Sequence, residues 1–298
     1  METLLIEPKN NGQTIDLDGK EYERVTIRSK PNQQTRDITI KNGVVRRMVL
    51  QADKLWYSHE ASFQQDYLQS LYANAPKNIH LDKINFAPRG DNGAIYTHPG
   101  ISNLYISGCN FTGVSESISV YLNSECRNIN ISGNSFLTKT GREHIAIDGA
   151  YNVRVMYNTV DSYRGFVHLY RNCGEGGRNR WNQPKNCVIE HNHINLRSWW
   201  QIAIWMNSRP ERRCYCIDKN SARKIPETSS MDWRSMPHTN LVKENSFSGG
   251  KPEDYIWPSP YANEIIGNHG DGDTTQPTYG VKHKIYDTLI PMFWKWYC

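Results

Sequence analysis

A segment of about 25 residues recurs along this 298-residue chain, and it constrains the fold more than any other feature of the sequence. The copies begin at Asn78, Asn103, Asn128, Asn152, Asn186, Leu241 and Glu264. Within each copy, apolar residues alternate with polar ones over a few positions and end at Gly, Asn or Ser, which is typical of short β-strands. A repeat of this length defines the architecture before any single motif does.

Two columns of residues line up when the copies are superposed. The first column consists of Ile84, Cys109, Asn134, Asn158, Asn192, Asn245 and Asn268. The second consists of Phe86, Phe111, Phe136, Val160, Ile194 and Phe247. Aligned asparagines hydrogen-bond from one coil to the next, and aligned aromatic rings stack. The pattern therefore predicts a parallel β-solenoid whose coils lie about 4.8 Å apart.

These repeats resemble the right-handed parallel β-helix family, which includes pectate lyases, alginate-modifying enzymes and phage tailspikes. The resemblance implies an all-β, single-stranded right-handed parallel β-helix of about seven to nine coils over residues 36–270. This fold hosts many activities, so the resemblance is specific for architecture and not for function. The motifs that mark pectate lyases or uronan epimerases are not matched, and no catalytic residue of those enzymes is carried over.

Three insertions and two terminal segments are predicted around the repeat. Residues 1–35 are predicted to form an N-terminal cap with the first strands, and residues 271–298 an aromatic tail that caps the solenoid or joins subunits. The insertions fall at about 54–75, 171–184 and 207–238. The first contains apolar residues at helical spacing, which predicts a short amphipathic helix. The other two are long loops, which in a compact repeat are usually functional or disordered.

The second strand of each coil predicts a common outward face, because successive side chains of a strand point to opposite sides. Stacking Ile145-x-Ile147, Val167-x-Leu169 and Ile202-x-Ile204 with their apolar residues inward defines that face. The outward residues are then Tyr96, His98, Tyr121, Asn123, His144, Asp148, His168, Tyr170, Gln201 and Trp205. Arg171 follows directly, and Trp181 lies in the adjoining loop.

We assign two roles on this face. The candidate catalytic residues are His144, Asp148, His168, Tyr170 and Arg171. The candidate substrate-binding residues are Tyr96, His98, Tyr121, Asn123, Trp181, Gln201 and Trp205. Aromatic and guanidinium side chains suit stacking on sugars and pairing with carboxylates or phosphates. The alternative is that these polar residues only solvate one face of a β-helix.

The composition of the face favours a polysaccharide lyase over a glycoside hydrolase. A lyase needs a cation that neutralises a uronate carboxylate and a base that removes the C5 proton, roles that suit Arg171 and a histidine or Tyr170. A hydrolase needs two carboxylates. Asp148 stands alone on the predicted face, with Glu143 and Asp161 the nearest acidic residues in sequence. Whether the face is catalytic at all stays open at this point.

Charge and composition argue against several other functions. The net charge of +5 is modest and its arginines are scattered, so no nucleic-acid partner is predicted. No apolar run approaches the roughly 18 residues that a membrane helix needs, so no membrane partner is predicted. No cofactor and no metal site are predicted, because Cys214-x-Cys216 and His191-x-His193 each lack the second pair of a zinc site.

The cysteines and the first residues suggest a phage origin. The chain opens without a standard secretory signal, and its seven irregularly spaced cysteines suit assembly in a reducing compartment. Lysis would then deliver a cytoplasmic product to a polysaccharide outside the cell. We therefore predict a virion protein that binds surface polysaccharide and, in one form of the hypothesis, also cleaves it. It would be a tailspike-like appendage or a knob-like capsid decoration. Its other predicted partners are virion proteins and two further copies in a homotrimer.

Two alternatives remain open. One is a free-standing polysaccharide lyase or epimerase that acts on uronic-acid polymers. The other is a purely structural virion protein without a ligand.

Overall fold

The chain is an all-β parallel β-helix. The computed structural model describes residues 2–53, 65–171, 173–175, 178–179, 182–197, 202–206, 237, 239–257 and 263–271. Each long strand pairs in parallel with the equivalent strand one coil before and one coil after it. Trp181, Gln201, nearly all of the predicted loop 207–238 and the aromatic tail lie outside the described residues.

Two large sheets and one small sheet form the walls of the solenoid. The wide sheet has sixteen strands: Glu2–Ile6, Glu21–Arg28, Val44–Gln51, Asn85–Phe86, Ile95–Thr97, Asn110–Phe111, Val120–Leu122, Ser135–Phe136, Glu143–Asp148, Thr159–Ser162, Gly165–Tyr170, His193–Leu196, Ile204–Met206, Ser246–Ser248, Ile256–Trp257 and His269–Gly270. The second sheet has nine: Thr14–Asp16, Arg36–Lys41, Lys77–Asp82, Ser102–Ser107, Arg127–Ser132, Tyr151–Met156, Val188–Glu190, Leu241–Lys243 and Glu264–Ile266. The small sheet contains Arg89–Gly90, Val114–Ser115 and Lys139–Thr140.

The other described elements are short. Cys173–Glu175 pairs antiparallel with Arg178–Asn179, Pro8–Asn10 is a 3₁₀ turn, and Gln65–Asn74 and Pro252–Tyr255 are α-helices. The nine strands of the second sheet correspond to nine coils in the described ranges, which confirms the predicted seven to nine. Neither of these α-helices has the length and apolarity to cross a lipid bilayer.

The core is a continuous apolar column inside the coils. Ile129 pairs with Leu104 on one side and Val153 on the other, and all three are buried. The rings of Phe86 and Phe111 stack with centroids 5.0 Å apart, and those of Phe111 and Phe136 stack at 4.4 Å. The predicted phenylalanine column is therefore confirmed. Its rings form offset-stacked pairs in which neither face meets water.

The predicted asparagine ladder is also present. The Nδ2 groups of Asn134, Asn158 and Asn192 each donate to the Oδ1 of the next asparagine along the ladder, at 3.0, 2.9 and 2.9 Å. Asn245 continues the ladder to Asn268 at 2.9 Å. Each of these Oδ1 atoms also accepts the backbone N–H of the preceding ladder residue, as Asn158 does from Asn134 at 3.0 Å. The ladder thus satisfies backbone donors at a turn where no β-strand partner is available.

The asparagine that opens each repeat is not part of the ladder and has a different structural role, at a bend of the backbone. Asn78, Asn103, Asn128, Asn152 and Asn186 all have φ between 53° and 55°, in the left-handed region. Asparagine adopts this conformation at lower cost than most residues with a Cβ. The first asparagine is therefore repeated because each coil bends there in the same way.

The helix Gln65–Asn74 confirms the predicted amphipathic insertion over that range. Leu71 is buried against Gly100, where a Cβ would come within 2.6 Å of the Leu71 Cγ. Gly100 also has a φ of 82°, so the site requires glycine on two counts. The Tyr72 and Tyr151 hydroxyls are 3.1 Å apart, and the Arg127 guanidinium lies 3.8 Å from the Tyr72 ring centroid.

Cys109, Cys126 and Cys187 are buried free thiols. Burial raises the pKa of each thiol to about 12. They behave as small apolar core residues and not as reactive nucleophiles.

Candidate functional site

The candidate site lies on six parallel strands of the wide sheet, which we call the site strands. They are Ile95–Thr97, Val120–Leu122, Glu143–Asp148, Gly165–Tyr170, Ile204–Met206 and Ile256–Trp257. Their apolar residues, such as Val120, Leu122 and Ile145, are buried in the core. The residues between them point outward, as strand alternation requires.

One outward position carries rings on five of these strands, and the last ring, Trp257, pairs with Trp205 and is buried. Tyr96, Tyr121, His168 and Trp205 are half-buried, and we call them the ring column. Tyr96 pairs with Tyr121, Tyr121 with Ala146, Ala146 with His168, and His168 with Trp205. The two tyrosine rings stack at 5.3 Å and 5°, and the His168 and Trp205 rings meet edge-on at 5.4 Å. The small side chain of Ala146 separates the two pairs of rings.

The structure corrects the stacking of the last predicted strand. Ile204, and not Ile202, pairs with Val167, which brings Trp205 directly opposite His168. Ile202 is buried as well, so burial alone does not distinguish the two registers. A slip of two residues keeps the same side of the strand facing inward, which is why alternation could not detect it.

The second outward position is buried, although the sequence predicted that it faces solvent. This position, which we call the polar column, consists of His98, Asn123, Asp148 and Tyr170. Its members are between 0 and 8% exposed, and Arg171 beside it is 5% exposed. The Tyr121 hydroxyl donates a hydrogen bond to Asp148 Oδ2, and the Asn123 amide donates one to the Tyr96 hydroxyl at 3.3 Å. The ring column therefore packs over the polar column and hydrogen-bonds to it.

His144 does not belong to this face. Its ring lies 5.4 Å from that of Phe136 in the core, its Nδ1 is 3.0 Å from the Ser119 hydroxyl, and it is fully buried. Burial lowers the pKa of His144 to about 3, against a weak opposing effect of Asp161. The prediction that His144 lies on the outward face is therefore wrong. Alternation fails because His144 and Ile145 are both buried where the strand begins.

Glu143 takes the outward place that the sequence assigned to its neighbour. The Tyr170 hydroxyl donates to Glu143 Oε1 at 3.1 Å, and His168 Nδ1 lies 3.5 Å from Oε2. Burial opposes ionisation of Glu143, but the charges of His168 and Arg142 and a hydrogen bond from His168 outweigh it and hold the pKa of this carboxyl below its ordinary value. The face therefore has two carboxylates, Glu143 and Asp148, and the statement that Asp148 stands alone is corrected.

The ring of His168 is held at both nitrogens. Nδ1 faces the Glu143 carboxylate at 3.5 Å and Nε2 faces the backbone carbonyl of Ile202 at 3.3 Å. Both partners are acceptors, so a ring that donates from both nitrogens satisfies them. Gly165 leaves the space for this ring, because a Cβ there would lie 2.4 Å from Nε2. Held in this way, the His168 ring is fixed beside the Glu143 carboxylate.

The three insertions all leave the wide sheet at the same corner of the coil, after Val44–Gln51, Gly165–Tyr170 and Ile204–Met206. Regular coils cross this corner in a few residues, as between Thr97 and Ser102. The described end of the predicted loop 171–184 lies against this corner: the Asn182 backbone N–H donates to Glu125 Oε1 at 3.1 Å, and its amide donates to Oε2. Glu125 is 3% exposed and is a third buried carboxylate beside the site. Across the described ranges, no group of three His, Cys, Asp or Glu residues is arranged to hold a metal ion.

Comparison with known proteins identifies a similar fold. No protein-family model and no curated protein sequence matches the chain. Among solved structures, it is similar to a double mutant of the tailspike protein of E. coli bacteriophage HK620, with a TM-score of 0.47 and 14% identity over 92% of this chain. A single mutant of that tailspike, in complex with a pentasaccharide, gives a TM-score of 0.46 and 14% identity over 93% of this chain. The chain spans 46% of the length of each of these structures.

Proposed function

We propose that this chain is a phage-type virion protein that binds surface polysaccharide along its ring column. The observation that carries the proposal is the alignment of Tyr96, Tyr121, His168 and Trp205 on one outward position of neighbouring strands. Tyrosine and tryptophan combine an apolar ring face, which stacks on the C–H face of a sugar, with a polar group that hydrogen-bonds to its hydroxyls. Half-buried rings on a rigid sheet offer this surface at low entropic cost.

The dimensions of the ring column suit a polymer. Tyr96 and Trp205 lie four strand steps apart, which at about 4.8 Å a step gives about 19 Å. A ligand that contacts all four rings is therefore an oligosaccharide and not a single sugar. The corner of the insertions runs along the same strands, so the loops there would border the bound chain.

The virion assignment has a separate basis. Cys109, Cys126 and Cys187 are free thiols, as expected of a protein that folds in a reducing cytoplasm. Its polysaccharide lies outside the cell, and lysis brings the two together. In this proposal the chain is a tailspike-like appendage or a knob-like capsid decoration, contacts other virion proteins and forms a homotrimer. Proteomics of purified phage particles tests the location, and light scattering tests the trimer.

We expect Trp205→Ala to weaken glycan binding at least tenfold, which corresponds to about 1.4 kcal/mol. The reason is the loss of the largest ring of the column, which packs against His168 and Tyr170. A glycan array followed by calorimetry on the best ligand gives the affinities. The matched control is Tyr157→Ala, because Tyr157 is 61% exposed and stacks on His191 at 5.0 Å, away from the site strands. Equal losses in both variants would show that the ring column is not the binding surface.

A second candidate function, hydrolysis of the bound glycan, is favoured by the position of Glu143. Glu143 and Asp148 lie on the same site strand, and each accepts a hydrogen bond from a tyrosine hydroxyl. Glycoside hydrolases work with two carboxyl groups that flank the scissile bond. Glu143, kept ionised by the charges of His168 and Arg142, would act as base or nucleophile, and Asp148 would supply the second carboxyl group. This arrangement supports hydrolysis more than the lyase reaction that the sequence favoured.

We expect Glu143→Gln and Asp148→Asn each to reduce the release of reducing ends by a factor of about 100 or more, which is the range for lost acid–base catalysis. Binding of the intact glycan should persist, because the ring column is unchanged. Asp161→Asn is the control, since Asp161 pairs with Arg197 elsewhere on the solenoid. Products that absorb near 235 nm would instead indicate an unsaturated uronate, and hence the lyase alternative with Arg171 as its cation.

A further inference from the structure

Two arginines pair on the two strands of the wide sheet that precede the first site strand, Ile95–Thr97. Arg24 on the strand Glu21–Arg28 is in register with Arg47 on the neighbouring strand Val44–Gln51. Residues paired in this way stand about 4.8 Å apart. Like charges directly opposite each other on a sheet are destabilising. The pair therefore costs the fold stability unless an anion lies between them.

Arg46, which precedes Arg47 in the sequence, shows how this fold neutralises a buried guanidinium group. Arg46 is buried and is paired with Glu21 at 2.5 Å and with Glu23 at 3.5 Å. Within the described part of the chain, neither Arg24 nor Arg47 has an ion pair. Arg47 contacts only the Asn92 amide oxygen, and its buried Nε has no acceptor there. Burial and the charge of Arg24 lower the pKa of Arg47 from its ordinary value.

This arginine pair is continuous with the ring column. Val49 pairs with Tyr96, and Arg47 precedes Val49 by two positions, so its side chain emerges on the same side of the sheet. The Tyr96 phenol is close enough to act on Arg47 electrostatically, where it opposes the lowering of its pKa. A glycan lying along the rings would thus reach both guanidiniums at its end.

We infer that Arg24 and Arg47 bind an anionic group of the glycan, a carboxylate or a phosphate ester, and that the ligand is therefore an acidic polysaccharide. This inference rests on the proposed function. Guanidinium groups bind both anions through paired N–H donors. An anion placed between two arginines also removes their mutual repulsion. The free energy that this repulsion costs the folded protein is therefore recovered when the anion binds.

The test compares a charged polymer with its neutral ester and with a polymer that carries phosphate. Polygalacturonate and its methyl ester share one backbone, and a phosphodiester-linked glycan polymer distinguishes phosphate from carboxylate as the recognised group. We expect at least one charged polymer to bind tenfold or more tightly than the neutral ester. Arg24→Gln combined with Arg47→Gln should abolish that difference, and raised salt should weaken binding to the parent and not to the double variant. Arg36→Gln on the second sheet is the control, since Arg36 is exposed and lies beside Asp37.

A second readout needs no ligand. Removing one charge of a repelling pair should raise the urea midpoint of unfolding, so Arg24→Gln should be at least as stable as the parent. A clear loss of stability in that variant would overturn the inference, because the pair would then be structural. Equal affinity for charged and neutral polymers would also overturn the inference. If Trp205→Ala still weakens the binding of both polymers, the proposed function stays intact. If no polymer binds at all, the proposed function fails and the inference fails with it.

Discussion

Replacing Asn158 by alanine is expected to lower the free energy of unfolding by about 3 to 5 kcal/mol. The Asn158 amide donates to the Ile131 carbonyl at 3.0 Å and to Asn192 Oδ1 at 2.9 Å. Its Oδ1 accepts both the backbone N–H and the amide of Asn134 at 3.0 Å. Alanine leaves these buried groups without partners, and each such group costs about 1 to 3 kcal/mol. Urea unfolding followed by circular dichroism measures the loss.

The control for this prediction is Asn195→Ala. Asn195 is half-buried on the strand His193–Leu196, three positions from the ladder residue Asn192, but it does not belong to the ladder. We expect its replacement to change the free energy of unfolding by less than about 0.5 kcal/mol. A similar cost at both positions would mean that the ladder has no special role in stability.

Acid is expected to weaken the fold before its carboxylates titrate, because of His144. The folded protein keeps this histidine neutral, with a pKa of about 3, whereas the unfolded chain takes up a proton near pH 6.5. As the pH falls below 6.5, the unfolded state therefore binds one more proton than the folded state. The free energy of unfolding falls by about 1.4 kcal/mol for each pH unit, or about 2 kcal/mol between pH 6.5 and 5.

The variant His144→Gln should remove most of this slope. Glutamine retains a polar group for Ser119 and does not titrate. Measuring the free energy of unfolding at pH 6.5 and at pH 5 for both proteins gives the difference directly. His269→Gln serves as the control, because His269 is exposed. If His144→Gln keeps the slope of the parent, the proton uptake belongs to other groups and the assigned position of His144 is refuted.

The fold was predictable because the same residues recur under the same constraint in every coil. The column of Phe86, Phe111 and Phe136 follows from the apolar interior, and Asn134 and Asn158 follow from unpaired backbone groups at one turn. A repeat presents each of these constraints several times, so a chance match in one coil is recognised because it does not recur in the others. Strand alternation then predicted that Tyr96, Tyr121, His168 and Trp205 point outward, but the register that brings Trp205 opposite His168 differs by two residues from the predicted one.

The site was predictable only where the strands are regular. At Glu143 and His144 the strand begins with two consecutive buried residues next to Ile145, and alternation assigned the wrong side chain to the outer face. No residue in that segment marks the change. The sequence feature that reflects it is Gly165, which pairs with Glu143 and leaves room for the His168 ring. The burial of Asn123 and Asp148 depends on side chains from neighbouring coils, which local sequence does not contain.

The position of the three insertions has a consequence for how such a protein changes over time. Each insertion joins the end of a strand of the wide sheet to the start of a strand of the second sheet, after Val44–Gln51, Gly165–Tyr170 and Ile204–Met206. Strand pairing on both sides of that corner continues in register across all of them. Segments of different length can therefore be accommodated there without altering the strand pairing of the coils. Such segments can differ between related proteins while the strands of the solenoid beneath them stay the same.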